Sequence, residues 1–146
     1  MTGAKPRIMG LDIGDRRIGV AISDLLHITA SALETIERKN IQTDLTRITD
    51  LARRLGVVEI VVGLPFHMDG SESEQARKIQ SFCRKLARES GLPVVYEDER
   101  LSTVSAIRML TLQGIKTGKK KDLVDRVSAA IILQKHLDHK APPPTA

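Results

Sequence analysis

Val57-Val58-Glu59-Ile60-Val61-Val62 is an apolar, β-branched run bounded by Gly56 and Gly63. Branched side chains lose little freedom on a pleated strand and pack well there. With Glu59 as its one polar member, such a strand has no side to offer to water, so both faces must be covered, as parallel strands are under crossover helices. The flanking sequence supplies the covers. Leu45, Ile48, Leu51 and Leu55 before the run, and Ala76, Ile79, Phe82, Cys83 and Leu86 after it, recur at helical spacing, with Gly56 and Gly91 as stops. Residues 93–97 read as a further strand. Upstream, 7–13 and 18–23 are short β-prone runs about a turn at 14–17, and 30–36 is a third strand. Three leading strands joined by short turns imply an antiparallel meander, whereas the later strand–helix–strand stretch must cross over to a parallel partner. The expectation is an α/β chain with a mixed five-stranded sheet and helices on both faces. Ser102 or Thr103 caps a helix through Leu112, and Asp122 caps a last helix carrying Leu123, Val127, Ala130 and Ile131.

The 146 residues fit one domain, expected over 1–140, with the Pro-rich 141–146 as a disordered tail. Hydrophobic residues make up 41% and charged residues 28%, an ordinary globular balance. No apolar run approaches the ~20 residues that span a bilayer, and residues 1–7 lack the apolar stretch of a secretory signal. A cytoplasmic protein without a membrane partner is expected. Cys83 is the one cysteine and falls on the apolar side of its helix, so it reads as core packing. The net charge of +5 and pI near 9.6 favour an acidic partner such as nucleic acid. With Phe66, Phe82 and Tyr96 as the whole aromatic complement, the grip should use phosphates and duplex shape rather than stacked bases.

Asp12 lies inside the first strand between Leu11 and Ile13, where a carboxylate away from water is costly unless paired or bound to a cation. Taken singly it could cap the Gly14 turn. Asp98 and Glu99 close the fifth strand, and ligands of open α/β sheets sit beyond the carboxyl ends of parallel strands. Asp125 begins the last helix, where an acidic side chain also suits the helix dipole. Together these acids make a constellation fit for hard cations, which take oxygen ligands and keep waters; one or two Mg²⁺ or Mn²⁺ ions could then serve phosphodiester hydrolysis. Lys116, Lys119, Lys120 and Lys121 precede Asp125 and place positive charge where a phosphate backbone would run, or else form a solvated loop. His67 lies in the 63–70 loop and could assist proton transfer, though a lone loop histidine is commonly a bystander.

Four motifs in order carry a resemblance over nearly the whole chain: Gly10-Leu-Asp-Ile-Gly14 with Arg17-Ile-Gly-Val-Ala21; Val62-Gly-Leu-Pro65 with Asp69-Gly70; Asp98-Glu-Arg-Leu-Ser-Thr103; and Asp125 before Ala129-Ala130. The chain resembles the YqgF (RuvX) family of Holliday junction resolvase-like proteins, provisionally assigned as pre-16S rRNA nucleases. The resemblance implies a ribonuclease H-like fold and a metal-dependent endonuclease or exonuclease acting on nucleic acid. It carries metal-binding roles to Asp12, Asp125 and one of Asp98 and Glu99, with Glu99 preferred and Asp98 kept as a catalytic alternative. Arg17, from the first motif, joins the four lysines as a candidate nucleic-acid contact. Asp122 departs from the basic residue frequent there in the family and stays open as a cap or a fourth acidic ligand.

Processing of the 5′ end of pre-16S rRNA in ribosome biogenesis ranks first, and resolution of branched DNA is the alternative. Hydrolysis of the two backbones is chemically the same, so residue chemistry does not choose between them. A non-catalytic nucleic-acid-binding factor is the alternative of another class, against which the acids stand. An actin-like or sugar-kinase-like ATPase, to which Asp12-Ile-Gly14 also bears likeness, would need a second domain to clasp its nucleotide.

Overall fold

A computed structural model of the chain describes residues 6–65, 69–98 and 117–140, with the side chains of 117–122 and 140 left aside. The leading meander is present: β1 (Arg7–Ile13), β2 (Arg17–Ser23) and β3 (Ala30–Glu37) pair antiparallel in succession. The hairpin between β1 and β2 closes on a Gly14 amide that donates to the Arg17 carbonyl at 2.8 Å. Then α1 (Ile41–Leu55) leads to β4 (Val57–Leu64), and α2 (Glu74–Ser90) to β5 (Val94–Asp98), both strands parallel to β1. The sheet order β3-β2-β1-β4-β5 places the 57–62 run near the middle, flanked on both edges, as its composition requires. The last element is α3 (Thr117–Lys140).

Local chemistry explains the helix ends. Asn40 caps α1 by accepting from the Thr43 amide, and Ser73 caps α2 by accepting from the Ala76 amide. Each thereby satisfies an amide that the first turn leaves unpaired. Gly56 and Gly91 end the two helices at φ 68° and 73°, a left-handed conformation in which glycine escapes the Cβ clash.

Each face of the sheet has its own core. On one, Met9, Leu11, Ile13, Ile18, Val20, Ile60 and Val62 meet Leu45, Ile48, Ile79, Phe82 and Leu86 from α1 and α2. On the other, Ile8, Ala21 and Val61 meet Ala129, Ile132, Leu133 and Leu137 from α3. Alternate residues of one strand thus serve opposite cores, as the period of two demands.

Several boundaries move. β2 gains Arg17, and β4 runs on through Gly63 and Leu64, residues expected in a loop, because ladder partners on β5 extend to Leu64↔Asp98. α3 begins at Thr117, so Asp122 lies inside the helix instead of capping it, and Asp125 stands in its third turn rather than at its start. Lysines are good helix formers and a single glycine does not stop a helix, so the Lys119-Lys120-Lys121 run is helical rather than a loop. The expected helix from Ser102 or Thr103, the tail 141–146, Phe66, His67, Glu99 and Lys116 lie outside the described residues. Among the described residues no helix is long and apolar enough to cross a membrane.

Candidate functional site

Asp12 is the next-to-last residue of β1 and half-buried. Two positions back on the same side, a Cβ on Gly10 would stand 2.7 Å from the Leu133 Cβ, so this side of β1 faces α3 and Asp12 points toward that layer. Directly across the ladder, Asp12 pairs with Gly19. A Cβ on Gly19 would fall inside the Asp125 backbone carbonyl. The missing side chain is what lets α3 lie against β2 at this point, and the close approach delivers Asp125 beside the end of β1 that carries Asp12. The two acids, 113 apart in sequence (125 minus 12), are neighbours through one glycine.

Arg17 completes the cluster. It lies on the same side of β2 as Gly19, and its Nε donates to the Asp125 Oδ2 at 2.6 Å. Their side chains are 28% and 24% exposed, wet enough for ligand exchange yet sheltered enough for charge to matter. Arg17, expected as a phosphate contact, is thus an ion-pair partner of a candidate ligand, and its positive charge offsets the repulsion between carboxylates.

Asp98 is placed differently. Val94 packs in the α1/α2 core and Val95 in the α3 core, while Tyr96 reaches Cys83 of α2. The alternation then puts Asp98 on the α2 side and Glu97 on the α3 side, opposite and alike to Asp12 respectively. Lys119, Lys120 and Lys121 stand within about two turns of Asp125 on α3.

A further cluster escaped the motifs. On the α3 side, Glu97 Oε1 lies 3.2 Å from His139 Nδ1 and 3.4 Å from His136 Nδ1, while His136 Nε2 lies 3.0 Å from Glu59 Oε1. The Lys135 Nζ donates to the Asp98 carbonyl at 3.0 Å. These contacts fasten the later turns of α3 to the end of β5. The one sequence signal was the His136-x-x-His139 spacing, which puts both rings on one side of a helix; their carboxylate partners come from strands far away in the chain.

The donor chemistry fits a hard divalent cation: two half-buried carboxylates at the carboxyl end of a central strand, with oxygen ligands only. Among the described residues no three His, Cys, Asp or Glu side chains form a complete metal-holding group, and Glu99 lies outside them.

A family model described as RuvX, Holliday junction resolvase, matches residues 6–139. A Moorella thermoacetica protein named provisionally as a pre-16S rRNA nuclease is 48% identical over 90% of this chain and 94% of its own length. One of the same name from Symbiobacterium thermophilum is 45% identical over 94% and 96%. Among solved structures, Thermus thermophilus RuvC in complex with a Holliday junction substrate superposes with a TM-score of 0.58 at 15% identity, covering 92% of this chain and 95% of that one. Fowlpox virus resolvase with Holliday junction DNA gives 0.59 at 14%, covering 93% and 99%. The sheet order and the two helical layers are those of the ribonuclease H-like fold these structures share. With its motifs matched nearly end to end and close relatives aligned along almost their whole length, the chain belongs to the RuvX family of resolvase-like nucleases.

Proposed function

We propose that this chain is a divalent-metal-dependent nuclease, acting as one domain over residues 1–140 and hydrolysing phosphodiester bonds of structured nucleic acid, with processing of the 5′ end of pre-16S rRNA as its task. The observation that carries the reading is the meeting of Asp12 and Asp125 through Gly19. Arg17 offsets the charge of Asp125, and a second carboxylate brought to the same place adds like-charge repulsion that a bound cation would relieve.

Asp12, Asp125 and Glu99 would hold the metal. What supports Glu99 over Asp98 is the placement of Asp98 on the face away from Asp12. Mg²⁺ or Mn²⁺ in such a site lowers the cost of activating water and of charge on the leaving oxygen. The chain's own part is to bring its carboxylates to the same end of the sheet. Arg17 screens Asp125 until the substrate arrives, and Lys116, Lys119, Lys120 and Lys121 draw the phosphate backbone toward that end of α3. The names of the relatives favour rRNA. The resolvase structures show the fold and keep branched DNA as the second substrate to test.

Asp12→Asn keeps the side chain's shape and removes its charge. Cleavage of a pre-16S rRNA 5′ fragment in Mg²⁺ or Mn²⁺ should fall at least ~100-fold, because loss of a ligand charge removes several kcal/mol of transition-state stabilisation. Binding should survive. Asp125→Asn and Glu99→Gln should act alike without adding, as members of one unit do, while Asp98→Asn retains more activity than Glu99→Gln. Running four-way DNA junctions and duplex RNA alongside ranks the substrates. Undiminished cutting by Asp12→Asn would overturn Asp12 as a metal ligand, and binding without any cutting by the unaltered protein would leave the non-catalytic binding factor as the better account.

A further inference from the structure

α2 buries Ala76, Ile79, Phe82, Cys83 and Leu86 against the sheet and turns the rest to solvent. Between Glu74 and Glu89 that outer side carries Arg77, Lys78, Arg84, Lys85 and Arg88 and no acid at all, and all five cations are exposed. None of them takes part in an ion pair among the described residues. α1 is different, because Asp50 interrupts its Arg47, Arg53 and Arg54. Like charges at helical spacing, as in Arg84 with Arg88 and Lys85 with Arg88, oppose helix formation. Glu74 and Glu89, at helical spacing from Lys78 and Lys85, offset this only at the two ends, so helix stability does not account for Arg84 and Arg88.

Its position adds direction. A cleft of about 290 Å³ is lined by Lys78 and Gln75 of α2 together with Arg38, Ile13, Gly14 and Asp15, so that two cations face one acid there. Ile13 and Gly14 directly follow Asp12. Lys78 thus stands where the β1–β2 turn begins, with Arg77 its neighbour on the helix, and the others recede from it: Arg84 and Lys85 lie seven residues beyond Arg77 and Lys78, about 10 Å along the helix, and Arg88 one turn further.

We propose that the solvent face of α2 is a phosphate track for a nucleic-acid duplex that leaves the candidate site across the Gly14–Arg17 turn, with Arg77 and Lys78 as its near contacts and Arg84, Lys85 and Arg88 as its far ones. The partner is a polyanion read by charge, since no ring on α2 is exposed for base stacking. The direction of travel rests on the nuclease reading, but binding along the track does not need cleavage.

The test is equilibrium binding without divalent metal to RNA duplexes of ~8 and ~30 base pairs, over a range of salt. Arg84→Gln/Lys85→Gln/Arg88→Gln should lower the log–log salt slope on the long duplex by about 2 to 3 and change the short one little. The charge-keeping Arg84→Lys/Lys85→Arg/Arg88→Lys should restore the slope, which a purely structural role would not require. An unchanged slope on the long duplex overturns the track, and so does an equal loss at both lengths. Binding to phosphatidylserine vesicles that vanishes in the glutamine variant, with the RNA slope intact, overturns it in favour of a membrane-facing helix. Cleavage by the unaltered protein is scored separately: cutting with an unchanged slope sinks the track alone, and a lowered slope without cutting sinks the nuclease reading alone.

Discussion

Gly19 holds the candidate site together by having no side chain. Gly19→Ala would force a methyl group into the Asp125 carbonyl, and backbone rather than a flexible side-chain tip would have to move. Overpacking of this sort costs about 1–3 kcal/mol, so the urea midpoint should drop. Cleavage should fall further than the unfolded fraction explains, because α3 must back away with Asp125 aboard. Wild-type stability and cleavage together in Gly19→Ala would mean that the contact does not set the site. Cys83 behaves as the opposite kind of residue, buried and remote from chemistry. Burial pushes its thiol up to about 12, against a hydrogen bond with Tyr96 that pulls it down. The thiolate is the reactive form, so iodoacetamide at mildly alkaline pH should leave the folded protein untouched and label it once urea exposes the thiol. A raised folded value means that the native state holds its proton more tightly. The contribution is whole below the unfolded value of 9.0 and is lost as pH climbs toward about 12. Rapid labelling of the native protein would show that Cys83 is not buried as described.

At the scale of elements, α3 decides whether the acids meet. Its Ala129 and Leu133 pack on the bare backbone of Gly10, Asp125 lies over Gly19, and Lys135, His136 and His139 grip β5 and Glu59. One rigid helix therefore references β1, β2, β4 and β5 to one another. Leu133 is fully buried in the smaller core. Leu133→Ala should cost about 2–5 kcal/mol in stability, measured by denaturant unfolding. Among molecules still folded, it should lower kcat more than it raises KM, since α3 aims a carboxylate as well as covering the sheet. A stability loss with kcat intact would confine α3 to packing.

Across the whole molecule, the net charge of +5 is unevenly spread: α2 carries five cations against two acids, and α3 six against three. Both helices begin at the end of the sheet where Asp12 stands, one over each face, so a bound duplex would meet positive charge on either side of the carboxylates. Replacing Lys116, Lys119, Lys120 and Lys121 with Ala should weaken binding to all sequences alike. It should flatten the salt dependence by about 0.7 to 0.9 in log–log slope for each lost contact. The effect should add to that of the α2 changes, because the two groups stand on different helices over opposite faces of the sheet. An unchanged slope would make the α3 lysines a merely solvated stretch.

Much of this architecture is local in origin. The 57–62 run demands cover on both faces, helical spacing marks α1 and α2, Gly56 and Gly91 end them, and the single turn at 14–17 makes the hairpin. Period and capping act over a few residues, so they can be read from the chain, as can the ordered motifs that mark the family. The start of α3 could not, since Asp122 is as good a cap on paper as any residue, yet the helix begins five residues before it, at Thr117. Nor could the division among the acids. Alternation tells that Asp12 and Ile13 face opposite ways, but which way α3 lies is settled by long-range packing on Gly10 and Gly19. That choice unites Asp12 with Asp125, ties Asp125 to Arg17 across 108 positions, and turns Asp98 to the other side. Periodicity along a strand is a property of sequence; the face that becomes a site belongs to the helix that covers it.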